Sequence, residues 1–441
     1  MGLFVLPLYP KIGLVSVAGT YIPIRLDDVI TVGVLLVWIT DLLAERRLPR
    51  IPSLALPVVL WVAAGFVALV VGAALQHTIT WGTGALYWAK PIEYLLLGWM
   101  AYDLVTTRRR ITLFSGSILS AAAVVVAYGV LQRFGWAPTP PSYLPGSTLG
   151  VVTATFGDPH QLAGYLGLIA FIVIALWHQF NGLRLGLAIL LVGLAYVLVH
   201  TGVRSEFIAL TAGTVAFLRW RPTRAPAALL LVALFASAAL PNAIERELDR
   251  TISRSAVIGT PDDGRGSPAP AVPGVAPGST SVGDRIGDGL SQDVSLSLRL
   301  QDKWPKLLRV TWAHPLFGGG PSAATEAADG YYVRSLVEVG LVGTAAFLAL
   351  VSTVLVAFWK GFRRATGPSR WLALAALTST LFVGIVGILI DTWVASRPMQ
   401  LYWPLVGATL ATLQTPGFLA PGGGSGTDPA TTEDSTLRSR D

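Results

Sequence analysis

The stretch LALPVVLWVAAGFVALVVGAAL, residues 54–75, contains no charged side chain. About 20 apolar residues in a helix cross the roughly 30 Å hydrocarbon core of a bilayer, so this stretch predicts a membrane-spanning helix. Working outward, similar runs predict spans at 3–19, 29–44, 85–105, 111–131, 160–178, 184–200, 206–219, 225–242, 332–358, 370–391 and 399–414. The first of these is interrupted by Pro7, Pro10 and Lys11. The expected fold class is an all-α polytopic membrane protein with about 12 transmembrane helices, since helices satisfy their own backbone in lipid. Composition agrees: charged residues make up 13% of the chain, where a soluble domain carries about a quarter.

The charges cluster between the runs. Loops after even-numbered spans hold Arg46, Arg47 and Arg50, then Arg108 to Arg110, Arg184, Arg219 to Arg224, and Lys360 to Arg370. Loops after odd-numbered spans hold single basic residues: Arg25, Arg133, Arg204 and Arg397. By the positive-inside rule the even loops face the cytoplasm, and both termini are expected there. The net charge of +7 is thereby explained by orientation, and nucleic acid is not an expected partner. Abundant Ala and Gly, with Arg exceeding Lys, suit a high-GC bacterial genome and a bacterial cytoplasmic membrane. No basic n-region or cleavage site precedes the first run, which is expected to remain as a membrane helix. The chain has no cysteine, and its five histidines lack close metal-ligand spacing, so no metal or other cofactor is expected.

Three regions follow: helices 1–5 over residues 1–150, a core over 151–415, and a disordered cytoplasmic tail over 416–441. The core contains a large extracytoplasmic loop, 243–331, between the ninth and tenth helices. Within it Ile244, Leu248 and Ile252 predict an amphipathic interfacial helix, and Gly259 to Gly289 reads as a flexible stretch. A helix from Leu296 to Trp312 would put Leu300, Trp304, Leu307, Leu308 and Thr311 on one face and Arg299, Lys303 and Lys306 on the other. Pro305 would kink or restart it. That cationic face suits either anionic headgroups or a lipid-linked phosphate. The glycines of AHPLFGGGP, residues 313–321, suit a turn or an anion-binding nest of amides. Glu338, near the outer end of the tenth span, suits a helix cap or a contact to a sugar hydroxyl. A lone arginine at the outer end of a span serves no orientational purpose, which makes Arg204 and Arg397 functional candidates.

Four segments, in order, resemble the O-antigen ligase and O-antigen polymerase superfamily of bacterial envelope glycosyltransferases. TFGDPHQLAGYL, residues 155–166, resembles its "fgnPN-x-lAgyL" helix start. HTGVRS, residues 200–205, resembles its "lllT-x-SR" helix end. RLQDKW at 299–304, followed by HPLFGGG at 314–320, resembles its "R…W…hPlfGvG" loop. EVGLVG, residues 338–343, resembles its "ElGllG" helix. The resemblance implies a metal-independent enzyme that moves a glycan from an undecaprenyl-diphosphate-linked donor to the hydroxyl of a glycan or lipid acceptor, with membrane lipids around both. By resemblance Arg204 and Arg299 bind the diphosphate. Lys303 shares the helix face of Arg299 and is grouped with the two arginines, and Arg397 is either a third phosphate-binding arginine or an interface anchor.

One departure matters. Ligases of the family carry a His-Asn or similar pair just before the tenth span, where this chain has Ala328-Asp329. The expected catalytic groups are therefore Asp329 or His314, and a polymerase-like or otherwise divergent transferase is favoured over a ligase. His160, Tyr331 and Tyr332 are expected to contact substrate, with helix capping the plainer role at 158–160. Two other readings stay open: a transporter or flippase of an envelope precursor, and a non-catalytic member of an envelope polysaccharide assembly complex.

Overall fold

The computed structural model describes residues 5–8, 13–15, 24–140, 151–240, 299–324 and 328–414. Its main elements are α1 (Leu26–Ala44), α2 (Ala55–Val70, continued by a π-turn to Leu75), α3 (Trp81–Leu104), α4 (Arg108–Arg133), α5 (Pro159–Leu176), α6 (Arg184–His200), α7 (Arg204–Phe217), α8 (Arg221–Ala238), the short α9 (Trp304–Ala313), α10 (Tyr331–Arg364), α11 (Gly367–Val386) and α12 (Ser396–Gln414). Among the described residues, six stretches are long and apolar enough to cross a membrane: Ala55–Leu75, Arg108–Arg133, Pro159–Leu176, Asn181–His200, Tyr331–Arg364 and Gly367–Val386. The other long helices pack beside them in one all-helical bundle.

The helix starts follow from local chemistry. Thr107 caps α4 by accepting from the Arg110 amide (3.3 Å). Asp158 caps α5 with Pro159 in its first turn, where a missing N–H costs nothing. Helix α5 is buried along every residue from Leu162 to Leu176, so its apolar surface faces protein on all sides. Helices α3 and α12 cross with their backbones touching: a Cβ on Gly407 would lie 1.9 Å from the Gly98 carbonyl oxygen. Small residues at such a crossing let van der Waals contact replace the hydrophobic driving force that lipid does not supply.

The basic end of the bundle is tied by Asp103. Its fully buried carboxylate accepts from Trp38 Nε1 (3.0 Å), Arg47 (2.9 Å) and the Arg50 amide (3.0 Å). Gln414, at the end of α12, meets Tyr102 at the same end (2.7 Å).

The first expected span, 3–19, is not a helix where described. Leu6–Leu8 form one 3₁₀ turn, and Gly13–Val15 pairs antiparallel with Ile24–Arg25 as β1 and β2. Pro7 and Pro10, each lacking an amide donor, account for this. The Pro7 carbonyl accepts from Thr155 Oγ1 (2.7 Å), while Gln132 near the end of α4 holds the Thr153 and Ala154 amides (3.0 and 2.8 Å). Residues 6–8 therefore lie at the opposite end of the bundle from Gln414. The expected helix at 244–252, the Gly259–Gly289 stretch and the tail after 416 lie outside the described residues.

Candidate functional site

The opening of α10 is shaped by one glycine. Gly340 has φ +64° and ψ −166°, which breaks the helix. The break leaves carbonyls and amides without helical partners, and the 314–320 segment supplies them. The Gly319 and Gly320 amides donate to the Val337 and Glu338 carbonyls (2.8 and 3.0 Å), and the Leu341 and Val342 amides donate to Pro315 and Leu316 (2.9 and 3.1 Å). The fit leaves no room for side chains: a Cβ on Gly340 would lie 2.5 Å from the Gly318 nitrogen. Two of the sequence motifs are thus one interlocked unit. The Gly318 amide turns back to the His314 carbonyl (2.9 Å), so all three amides of the candidate nest are committed to backbone.

A buried ion network holds the turn before α10. Arg334, 6% exposed, joins Glu338 (3.1 Å) to Asp391 (3.2 Å). Asp391 also accepts from the Ala328 and Gly330 amides (3.2 and 3.3 Å). Glu338 accepts from the Ser322 amide (3.2 Å), so its role is to fasten the loop to α10. The turn so held presents Asp329 in the left-handed region, φ +49°, a conformation that Asp and Asn tolerate better than most residues.

Two cations converge on Asp329. Lys303 Nζ lies 2.7 Å from its carboxylate and Arg299 Nε 3.7 Å. They come from a π-turn, Arg299–Lys303, that leads into α9. Helix α9 restarts at Trp304, with Pro305 in its first turn, and Trp304 Nε1 donates to the Ala328 carbonyl (3.0 Å). The π-turn and the Asp329 turn are therefore anchored to each other by an uncharged contact as well as by charge.

The mouth of α5 and α7 lies within electrostatic reach of Arg299. Asp158 takes the His160 amide (2.9 Å) and the Gln161 amide (3.3 Å), fixing the first turn of α5. His160 Nδ1 lies 3.6 Å from Glu206 Oε1; the imidazole side chain is 49% exposed and the carboxylate 1%. Glu206 also accepts from Ser205 Oγ (2.6 Å). Arg204 begins α7, on the same first turn as Ser205 and Glu206. Arg299 lies within electrostatic reach of His160, which links the two halves of the cluster.

Other expected site residues fall elsewhere. His314 ends α9 on the far side from Lys303, about 16 Å away along the helix axis. Tyr331 is 6% exposed and packs on Phe347, 4.8 Å between ring centres. Tyr332 is half-buried and gives its hydroxyl to the Gly384 carbonyl (2.9 Å). Both rings are held by the bundle rather than turned to the Asp329 cluster, because α10 begins at residue 331 and carries them into its packed faces. Arg397 is 2% exposed and faces Asp27 at 3.9 Å. The cavity beside it, about 10 Å³, has room for about one water.

Sequence reasoning missed Arg334 and Asp391. The available signal was a lone charge in each of two otherwise apolar surroundings, YYVRSLV and GILIDTWV, which is costly in a membrane without a partner. Among the described residues no group of His, Asp and Glu is arranged to hold a metal ion.

Residues 189–348 match the family model described as O-antigen ligase. The match bears out the resemblance to the O-antigen ligase and polymerase superfamily. It contains three of the four motifs, at 200–205, 299–320 and 338–343, and the segment at 155–166 precedes it. No curated protein matches the chain.

Proposed function

We propose, starting from the O-antigen ligase resemblance over residues 189–348, that this chain transfers a glycan from an undecaprenyl-diphosphate-linked donor to an acceptor hydroxyl. The Arg-rich helix ends face the cytoplasm, so the Asp329 cluster opens at the outer face of the cytoplasmic membrane. The observation that carries the reading is the convergence of Arg299 and Lys303 on a single carboxylate at distances of 3.7 and 2.7 Å. Two cations converging on one anionic group suit a diphosphate, whose charge grows as the glycosyl bond breaks.

In the resting protein Asp329 occupies these cations. A diphosphate takes them over, with Arg204 from the first turn of α7 as a further ligand, and frees the carboxylate. Arginine suits this task because its planar fork donates to two oxygens at once. The fixed cations stabilise the leaving group through charge that is already in place before the reaction. Arg397, enclosed against Asp27, is assigned to the scaffold. The groups best placed for the chemistry are Arg204, Arg299, Lys303, Asp329 and His160.

The test is transfer of a labelled glycan from a polyprenyl diphosphate donor by the full chain in liposomes. Arg204→Ala and Arg299→Ala should each insert normally and lose about 100-fold or more in rate. Full activity in both variants, or accumulation of labelled donor without a covalent product, would overturn the reading.

A further inference from the structure

We infer that His160, held by Glu206, is the base that activates the acceptor hydroxyl; this rests on the transferase reading above. The turn just before α10 reads Ala328-Asp329-Gly330 and holds no histidine. An imidazole on a different helix, that of His160 at the start of α5, lies within electrostatic reach of Arg299. His160 is 49% exposed while its partner Glu206 is 1% exposed, so the ring is anchored on one side and open on the other.

The anchoring fixes which nitrogen works. Nδ1 faces the Glu206 carboxylate at 3.6 Å, just beyond hydrogen-bond distance; that negative charge favours a proton on Nδ1, which leaves the Nε2 lone pair for the acceptor. Glu206 is itself held, because its second oxygen accepts from Ser205 Oγ at 2.6 Å. The backbone of His160 is fixed by Asp158, which accepts its amide at 2.9 Å. The charged groups facing the ring are Glu206 from α7, Asp158 at the start of its own helix, and Arg299 from the segment before α9. Arg299 places the ring beside the diphosphate site. Of the other candidates, Asp329 faces the two cations of the diphosphate site, next to the leaving group, and His314 sits beyond the far end of α9.

The step balances without a further reactant. The acceptor O–H proton moves to His160 Nε2 as the acceptor oxygen bonds to the anomeric carbon. The bond from that carbon to the diphosphate oxygen breaks, and its electron pair stays on the diphosphate, held by Arg299 and Lys303. The buried Glu206 carboxylate stabilises the imidazolium, which then releases its proton to water through its exposed edge. Glu206 acts through the histidine and is a positioning residue.

The experiment measures kcat, donor KM and pH dependence of transfer by the full chain in liposomes. His160→Gln should lower kcat about 100-fold or more with donor KM within twofold, and added imidazole should restore part of the rate to His160→Ala. Glu206→Gln should lower kcat about tenfold and move the ascending limb of the pH profile to lower pH, because an imidazolium without its carboxylate loses its proton more readily. Wild-type transfer with an unchanged rate in His160→Gln would overturn the base assignment alone. So would a His160→Ala loss that imidazole does not restore and that raises donor KM in parallel. Absence of transfer by the wild type would overturn the transferase reading, and the base with it.

Discussion

Arg397 and Arg299 each stand at the start of a helical segment on the same side of the bundle, but the fold treats them differently. Arg397 lies between α12 and α1 at 2% exposure, with Asp27 at 3.9 Å and the Phe156 ring 5.7 Å away. Neither Asp27 oxygen accepts a hydrogen bond among the described residues. Arg299 instead shares Asp329 with Lys303, and the three side chains keep 17%, 31% and 38% exposure for Arg299, Asp329 and Lys303. An enclosed pair can only be broken at a cost, whereas a partly open pair can exchange its anion. The difference separates an enclosed cation from the one proposed to bind ligand more sharply than position along the chain does.

This contrast can be broken by substitution. Arg397→Met leaves the Asp27 charge buried beside an apolar side chain, and should cost about 3–5 kcal/mol of stability. Thermal unfolding in detergent measures it. The double variant Arg397→Met/Asp27→Leu should recover most of that loss, since replacing both partners removes the stranded charge. If Arg397→Met keeps its stability and loses transfer instead, the two arginines belong to one site and the distinction fails.

A smaller effect sharpens the open side. Asp391→Asn weakens the hold on the Ala328 and Gly330 amides and on Arg334, and should cost about 1–3 kcal/mol of stability. Transfer should fall with it, because the Asp329 turn loses its support. Arg334→Lys should behave similarly, as an ammonium lacks the fork that reaches both Glu338 and Asp391. The smallest effect is expected at His314. Its backbone closes the turn while its ring stands far from Lys303, so His314→Ala should change stability by no more than about 0.5 kcal/mol and leave the transfer rate within twofold.

Apolar runs predicted the long helices well because lipid imposes one rule, an uncharged stretch of sufficient length. The rule failed at the described residues of the 3–19 run, 5–8 and 13–15, where Pro7 and Pro10 interrupt a stretch of adequate hydropathy. The candidate site was legible only in pieces. Arg204, Arg299, Lys303 and Asp329 stood out as charges at helix ends. The commitment of the Gly318–Gly320 amides was not legible, since it depends on the break at Gly340, and a left-handed glycine leaves no mark distinguishing it from any other. The enclosure of Arg397 was equally hidden, because burial depends on which helices meet there. The pairing of His160 with Glu206 joins residues 46 positions apart, a contact that only the packing of α5 on α7 creates.

The central claim is that Arg299 and Lys303 form a diphosphate site that the Asp329 carboxylate fills at rest. The direct measurement is binding of polyprenyl diphosphate and polyprenyl monophosphate to the purified full chain and to Arg299→Ala/Lys303→Ala. The account predicts that the wild type prefers the diphosphate, that the double variant loses the preference while its thermal unfolding is unchanged, and that Asp329→Asn binds the diphosphate more tightly. Equal diphosphate affinity in the wild type and the double variant would contradict it.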